Sequence, residues 1–189
     1  MASLALAVLV AIGLGAWWSA TSDDDSTVAV DDVIMDRPGE FQEPTIATNA
    51  PVKGTPLPVV DLTTEAGDTL STASFQGSPT VVNVWFADCP PCRRELPAFA
   101  AAHALYGDRV RFVGVNPRDD AARARAFADE RGVRYESYLD PDGRFLTAAG
   151  IATFPTTLLV APDGSIVVQR AGEVTQDELE RLIDEWLLP

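Results

Sequence analysis

Cys89 and Cys92 are the only cysteines in a chain of 189 residues, and they lie inside "VVNVWFADCPPCRRELP", separated by two prolines. Two thiols at that spacing can do three things: exchange electrons as a dithiol and disulfide, share a metal ion, or staple the chain. The staple is the weakest reading. A loop closed over three residues removes little entropy from the unfolded chain. The metal reading lacks ligands. A structural zinc site needs four, and there is no second cysteine pair, with His103 the single histidine. No metal and no dissociable cofactor are therefore expected. Redox chemistry remains, and its requirement is a thiolate that something stabilises.

The flanking residues supply that environment. "TVVNVWF" is a short apolar run with the character of a buried strand. Cys89 to about Tyr106 reads as a helix, kinked at Pro97. A helix N-terminus carries unpaired N–H groups and partial positive charge, which favour a thiolate. Pro90 and Pro91 fit the first turn, where N–H groups lack intrahelical acceptors. Cys92 lies on the same face three residues on, within disulfide reach. Cys89 is thus expected as the exposed nucleophile and Cys92 as the more buried resolving thiol. Asp88 opposes ionisation of Cys89. At about 6 Å the repulsion is roughly 0.7 to 2.8 kcal/mol, depending on the effective dielectric. The two prolines act in the same direction by removing N–H donors.

The rest of the domain is built around this unit. "PVVDLTT", "EAGD" and "TLST" read as a hairpin with Gly67 in its turn. "RVRFVGVN" is a strand, "DDAARARAFADERG" a helix opened by Asp119 or Asp120, "RYESYLD" a strand and "GRFLTAAG" a short helix. "TTLLVAP" and "SIVVQRAG" form a second hairpin. "TQDELERLIDEWLL" is an amphipathic helix with Thr175 as cap. Strands alternating with helices predict an α/β domain with a mixed central sheet. The boundaries follow composition: an apolar segment over 1–20, an acidic, proline-bearing linker over 21–55, and the folded domain over 56–189.

Composition limits the partners. Lys and Arg number 14 against 28 Asp and Glu, a net charge of -14. That excludes nucleic acid and anionic lipid as primary ligands, since both need basic surfaces. Ala2–Ala20 carries no charge. As a helix it would span about 28 Å, close to the hydrocarbon thickness of a bilayer. It is expected to anchor the chain in the cell membrane, with the domain outside the cytoplasm. A small-x-small site at Ala20-Thr21-Ser22 leaves cleavage and secretion as the alternative.

"WFADCPPCRRELP" followed by "GIATFPTTLLVAPDG" resembles the thioredoxin superfamily. Within it the chain is similar to the membrane-anchored TlpA/ResA-type thiol–disulfide oxidoreductases. The pattern Cys89, Cys92, Glu95, Pro97 is theirs, as are the leading "GTPLPVVDL" hairpin and "VGVNPRDD" with its inserted helix and strand. The resemblance implies a thioredoxin-like fold: a mixed sheet flanked by helices, with an N-terminal hairpin and an inserted strand-helix element. It implies that Pro155 is a cis-proline beside a Cys89–Cys92 redox disulfide. It also implies disulfide-bearing exported proteins as substrates, apo-cytochrome c among them, and a membrane thiol transporter as electron donor.

Two departures from the family pattern stand out. Asp88 occupies a position where tryptophan is common. Asn83 stands where the superfamily's reductants place a buried acid, and an amide cannot take a proton from Cys92. Glu95 is the candidate replacement, with a helix-dipole role as its alternative. Trp85 is expected to pack beneath the site. Phe154 is expected as an apolar lip or as core. A reductant is the expected activity. The same site run in reverse as a disulfide-forming oxidase is the first rival, and a non-catalytic thioredoxin-fold binding or chaperone module is the second.

Overall fold

The computed structural model describes residues 49–188. The apolar segment over 1–20 and most of the acidic linker lie outside the described residues. The centre is a seven-stranded mixed sheet. In chain order its strands are β1 (Asp61–Thr63), β2 (Thr69–Ser71), β3 (Thr80–Val84), β4 (Arg111–Asn116), β5 (Glu136–Leu139), β6 (Thr156–Val160) and β7 (Ile166–Ala171). The spatial order is β2-β1-β5-β4-β3-β6-β7. Strands β3, β4 and β5 run parallel, and each flanking hairpin joins them through an antiparallel strand, β1 against β5 and β6 against β3. The helices are α1 (Pro90–Tyr106), α2 (Ala121–Asp129), α3 (Arg144–Ala148) and α4 (Gln176–Trp186). This is the thioredoxin-like α/β arrangement expected from the sequence.

Strand β3 is central because it is apolar and β-branched on both faces, and all five residues are buried. Side chains alternate between faces along a strand. Val81 and Trp85 therefore enter one core, with Leu96 and Phe99 of α1, Phe127 of α2 and Leu179 of α4. Val82 and Val84 enter the other, with Phe75, Phe145 and Ile151. By the same alternation Asn83 faces α1.

Two glycines answer to specific needs. Gly67 closes the first hairpin at φ +90, a conformation that a side chain rarely adopts. Gly114 of β4 lets the Trp85 indole approach the strand closely. A Cβ there would stand 2.9 Å from Trp85 Nε1 and 2.6 Å from Ser137 Oγ.

The domain begins earlier than composition suggests. Residues 49–55, assigned above to the linker, are bound along it. Gly54 N–H donates to the Ile166 carbonyl at 2.7 Å, and Ile166 N–H donates to the Thr55 carbonyl at 2.8 Å. The Lys53 ammonium lies 3.8 Å over the Trp186 ring of α4. Asn49 spans the loop before β6. Its Oδ1 accepts from the N–H groups of Ala152 and Thr153, and its Nδ2 donates to Thr156 Oγ1 at 2.9 Å. A polar, proline-bearing stretch shows no periodicity, yet its backbone groups still find partners.

Candidate active site

Strand β3 delivers the chain to the start of α1 through the Trp85–Asp88 turn. Cys89 is the N-cap of α1, with Pro90 and Pro91 in the first turn. The helix therefore starts one residue later than the sequence suggests. Cys89 and Cys92 are joined as a disulfide, with Cα atoms 5.2 Å apart. Because the two prolines have no N–H, the first helical donor is that of Cys92. It points at Cys89 Sγ, 3.2 Å away. The prolines reduce the donors around Cys89 to one, but that one is aimed at the sulfur.

The expected contrast in exposure is small in the disulfide form. Cys89 is 3% exposed and Cys92 is fully buried. Cys89 is not openly exposed as expected; it is the less buried member of a buried pair.

Asp88 does not act as the sequence predicts. Its carboxylate is exposed and ion-paired with the Arg123 guanidinium of α2. A cation supplied from 35 residues away offsets the charge beside Cys89. Arg123 also reaches Asp119, 3.3 Å away. Asp119 was a candidate to open α2, but Asp120 does that by accepting the Arg123 N–H. Asp119 instead turns inward. Its Oδ2 accepts from Ala87 N–H at 2.7 Å and from Asn116 Nδ2 at 2.8 Å. It thereby ties the turn before Cys89 to the end of β4.

One turn along α1 from Cys92 lies a buried carboxyl group. Glu95 is 1% exposed. It lies beyond the first turn of α1, so its alternative role against the helix dipole falls away. Asn83 Nδ2 donates to Glu95 Oε1 at 2.7 Å, and Val174 N–H donates to Oε2 at 3.2 Å. Burial outweighs these two donors and pushes the Glu95 pKa up to about 8. The acid and the amide that the sequence singled out separately are one hydrogen-bonded pair.

Trp85 is fully buried and stacks on Phe127 with ring centroids 5.5 Å apart. Phe154 is half-buried and meets Phe86 edge-on at 5.1 Å, packing against both cores. The Phe154–Pro155 peptide is cis, and Pro155 is buried. Arg118 lies over this aromatic pair, 4.3 Å from the Phe86 centroid. Sequence reasoning missed Arg118, Arg123, Asp119 and Phe86. Asn-Pro at 116–117 is a turn signal that marks the loop holding Arg118 and Asp119. Nothing local marks Arg123. His103 packs edge-on against Phe112 and Tyr135. Among the described residues no group of three or more His, Cys, Asp or Glu could hold a metal ion.

A disulfide at a helix N-cap, with a buried carboxyl one turn along the helix, is chemically equipped for thiol–disulfide exchange. Comparison with known proteins points the same way. Residues 52–185 match the model of the Redoxin family. The thiol-disulfide oxidoreductase ResA of Halalkalibacterium halodurans is 27% identical over 119 residues, 62% of this chain and 68% of that protein. The thioredoxin-like protein YneN of Bacillus subtilis is 28% identical over 135 residues, 70% of this chain and 79% of that protein. Among solved structures, a secreted disulfide oxidoreductase of Mycobacterium tuberculosis is 26% identical, with a TM-score of 0.62. The match covers 67% of this chain and 95% of that one.

Proposed function

The chain belongs to the Redoxin family, and from that premise we propose that this thiol–disulfide oxidoreductase of the ResA/TlpA type works as a reductant of exported proteins. The Cys89–Cys92 disulfide at the N-cap of α1 carries the reading. In the reduced enzyme the Cys89 thiolate attacks one sulfur of a partner disulfide, and the other partner sulfur leaves as a thiolate. Cys92 then attacks Cys89 Sγ, releasing the second partner thiol and closing the Cys89–Cys92 disulfide. Two electrons pass to the partner. The two protons lost by Cys89 and Cys92 balance the two gained by the partner sulfurs. Glu95, one turn from Cys92, takes the proton that Cys92 must shed.

Direction follows from how well the thiolate is stabilised, because a stabilised thiolate favours the reduced form and makes an oxidant. Here a single first-turn N–H faces Cys89, and the residue is packed in a cluster of apolar side chains. Both features favour the disulfide and hence a reductant. A potential below about -220 mV against glutathione is the expected measurement, and one near -120 mV would reassign the site as a disulfide-forming oxidase.

A membrane thiol transporter is the proposed electron donor. Exported disulfide proteins, apo-cytochrome c among them, are the proposed acceptors. The apolar segment Ala2–Ala20 is proposed to hold the domain at the outer face of the cell membrane, where disulfides persist. Fractionation should recover the full-length chain with membranes. Recovery of a soluble exported chain lacking about twenty residues would point to cleavage instead, and recovery in the cytosol would end the localisation reading.

A further inference from the structure

Among the described residues, Arg93 and Arg118 both lack a carboxylate partner, but Arg93 lies over the buried Phe127 ring, 5.3 Å from its centroid, whereas Arg118 rests on the rings that adjoin Cys89 and Pro155 in the chain. Arg123 binds Asp88 and Asp119, and Arg94 binds Glu173 at 2.6 Å. Arg118 has no carboxylate within 4.0 Å among the described residues. Its exposed side chain rests on two half-buried rings instead, 4.3 Å from the Phe86 centroid and 5.6 Å from that of Phe154. Both rings border the redox machinery. The Phe86 carbonyl accepts the Cys89 N–H at 3.3 Å, and Phe154 leads into Pro155. Asn116 fixes the base of Arg118 by accepting its backbone N–H at 3.0 Å.

A guanidinium stacked on aromatic rings keeps its edge N–H donors free, in a planar fork that matches a carboxylate. We propose that Arg118, seated on Phe86 and Phe154, selects partner segments that carry an aspartate or glutamate close to the cysteine under attack. The occupant is an extended, locally acidic stretch of a disulfide-bearing polypeptide. Charge complementarity sets the choice: the chain as a whole carries -14, yet over Phe86, three residues before Cys89, it offers an exposed guanidinium with no ion pair among the described residues. The long-range field disfavours acidic proteins as a whole. The fit is therefore to a carboxylate beside the disulfide of a neutral or basic partner. This inference rests on the exchange reading above and adds which partner sequence the site accepts.

The test uses reduced full-length protein and three disulfide-bonded peptides that are identical except for Asp, Asn or Lys two residues from the target cysteine. Rate constants for reduction are normalised to those with dithiothreitol, which removes differences in intrinsic reactivity. The Asp peptide should react about fivefold faster than the Asn peptide, and the Lys peptide more slowly than either. The preference should shrink at high salt. Arg118→Gln should abolish it, Arg118→Glu should reverse it, and Arg118→Lys should retain part of it. An Asp-to-Asn ratio near one in the unmodified protein, or a ratio unchanged in Arg118→Gln, overturns the inference. If no peptide is reduced at all, the exchange reading fails and this inference fails with it; reduction of all three at equal rates overturns the inference alone.

Discussion

Reduced Cys92→Ser protein, mixed with a disulfide-bearing protein, accumulates as a covalent mixed disulfide through Cys89, whereas Cys89→Ser protein accumulates none. The reason lies in the positions of the two sulfurs. Cys89 is the N-cap and the less buried of the pair, and it receives the one N–H donor that the first turn provides. Cys92 lies within the helix and is fully buried. A partner disulfide meets Cys89 first, and without Cys92 no internal thiol is left to release it. Turnover falls by about two orders of magnitude or more in both variants, since the two thiols act as a unit. Only one variant holds on to its partner. The adduct should be visible on a non-reducing gel and should vanish with dithiothreitol. Equal trapping by the two variants would contradict the assignment of the nucleophile.

The second large effect concerns Glu95→Gln. With its pKa near 8, Glu95 is ionised in only about one molecule in ten at pH 7. If its carboxylate takes the Cys92 proton, release of the mixed disulfide should speed up about tenfold per pH unit below 8 and then level off. Glu95→Gln should flatten that limb and slow release at pH 8 by about 10- to 100-fold. Stability supplies an independent readout. The folded pKa lies above 4.5, the ordinary value of a glutamate, so the folded state holds this proton more tightly than the unfolded chain does. The stabilisation is complete below about pH 4.5, declines as pH rises, and is gone above about 8. The upper bound on the loss is on the order of 5 kcal/mol. Glutamine does not titrate, so the variant should lack this decline. Its amide N–H2 meets the Asn83 Nδ2 donor unless the Asn83 amide turns over to offer Oδ1, which has no other partner; in either arrangement the effect on stability does not vary with pH. The slope between pH 5 and pH 8 in chemical denaturation is therefore the quantity to compare. Equal slopes in the two proteins would mean that Glu95 does not titrate in this range.

What the sequence made legible was local. The hairpin at Gly67, the strand entering a helix at the cysteines, and the cap at Thr175 each depend on residues a few positions apart. The sequence also singled out Asn83 and Glu95, although not as a pair. The period of β3 puts Asn83 on the face of Val81 and Trp85, the face that α1 covers, so that pairing was within reach. The electrostatics of Asp88 were not. The neighbouring Cys89 is visible in the sequence, but Arg123 reaches Asp88 only because α2 packs beside the turn. For the same reason the site looked more acidic in the sequence than it is. Arg118 and Asp119 were hidden in a different way: Asp119 resembles a helix cap, and a surface arginine carries no periodic signal. The start of the domain was misplaced because 49–55 is held by backbone bonds and single side chains, and composition does not record these.

Asn49 gives that last point a mechanical meaning. Its side chain holds Ala152, Thr153 and Thr156, the residues that bracket Phe154 and Pro155. A chain trimmed to begin at 52, where the family match starts, would leave those backbone N–H groups without that partner. The handle by which the domain is joined to everything upstream is therefore fastened to the loop that presents Pro155. Load applied along the chain from that side would arrive first at this loop and at Thr156, where the loop enters β6.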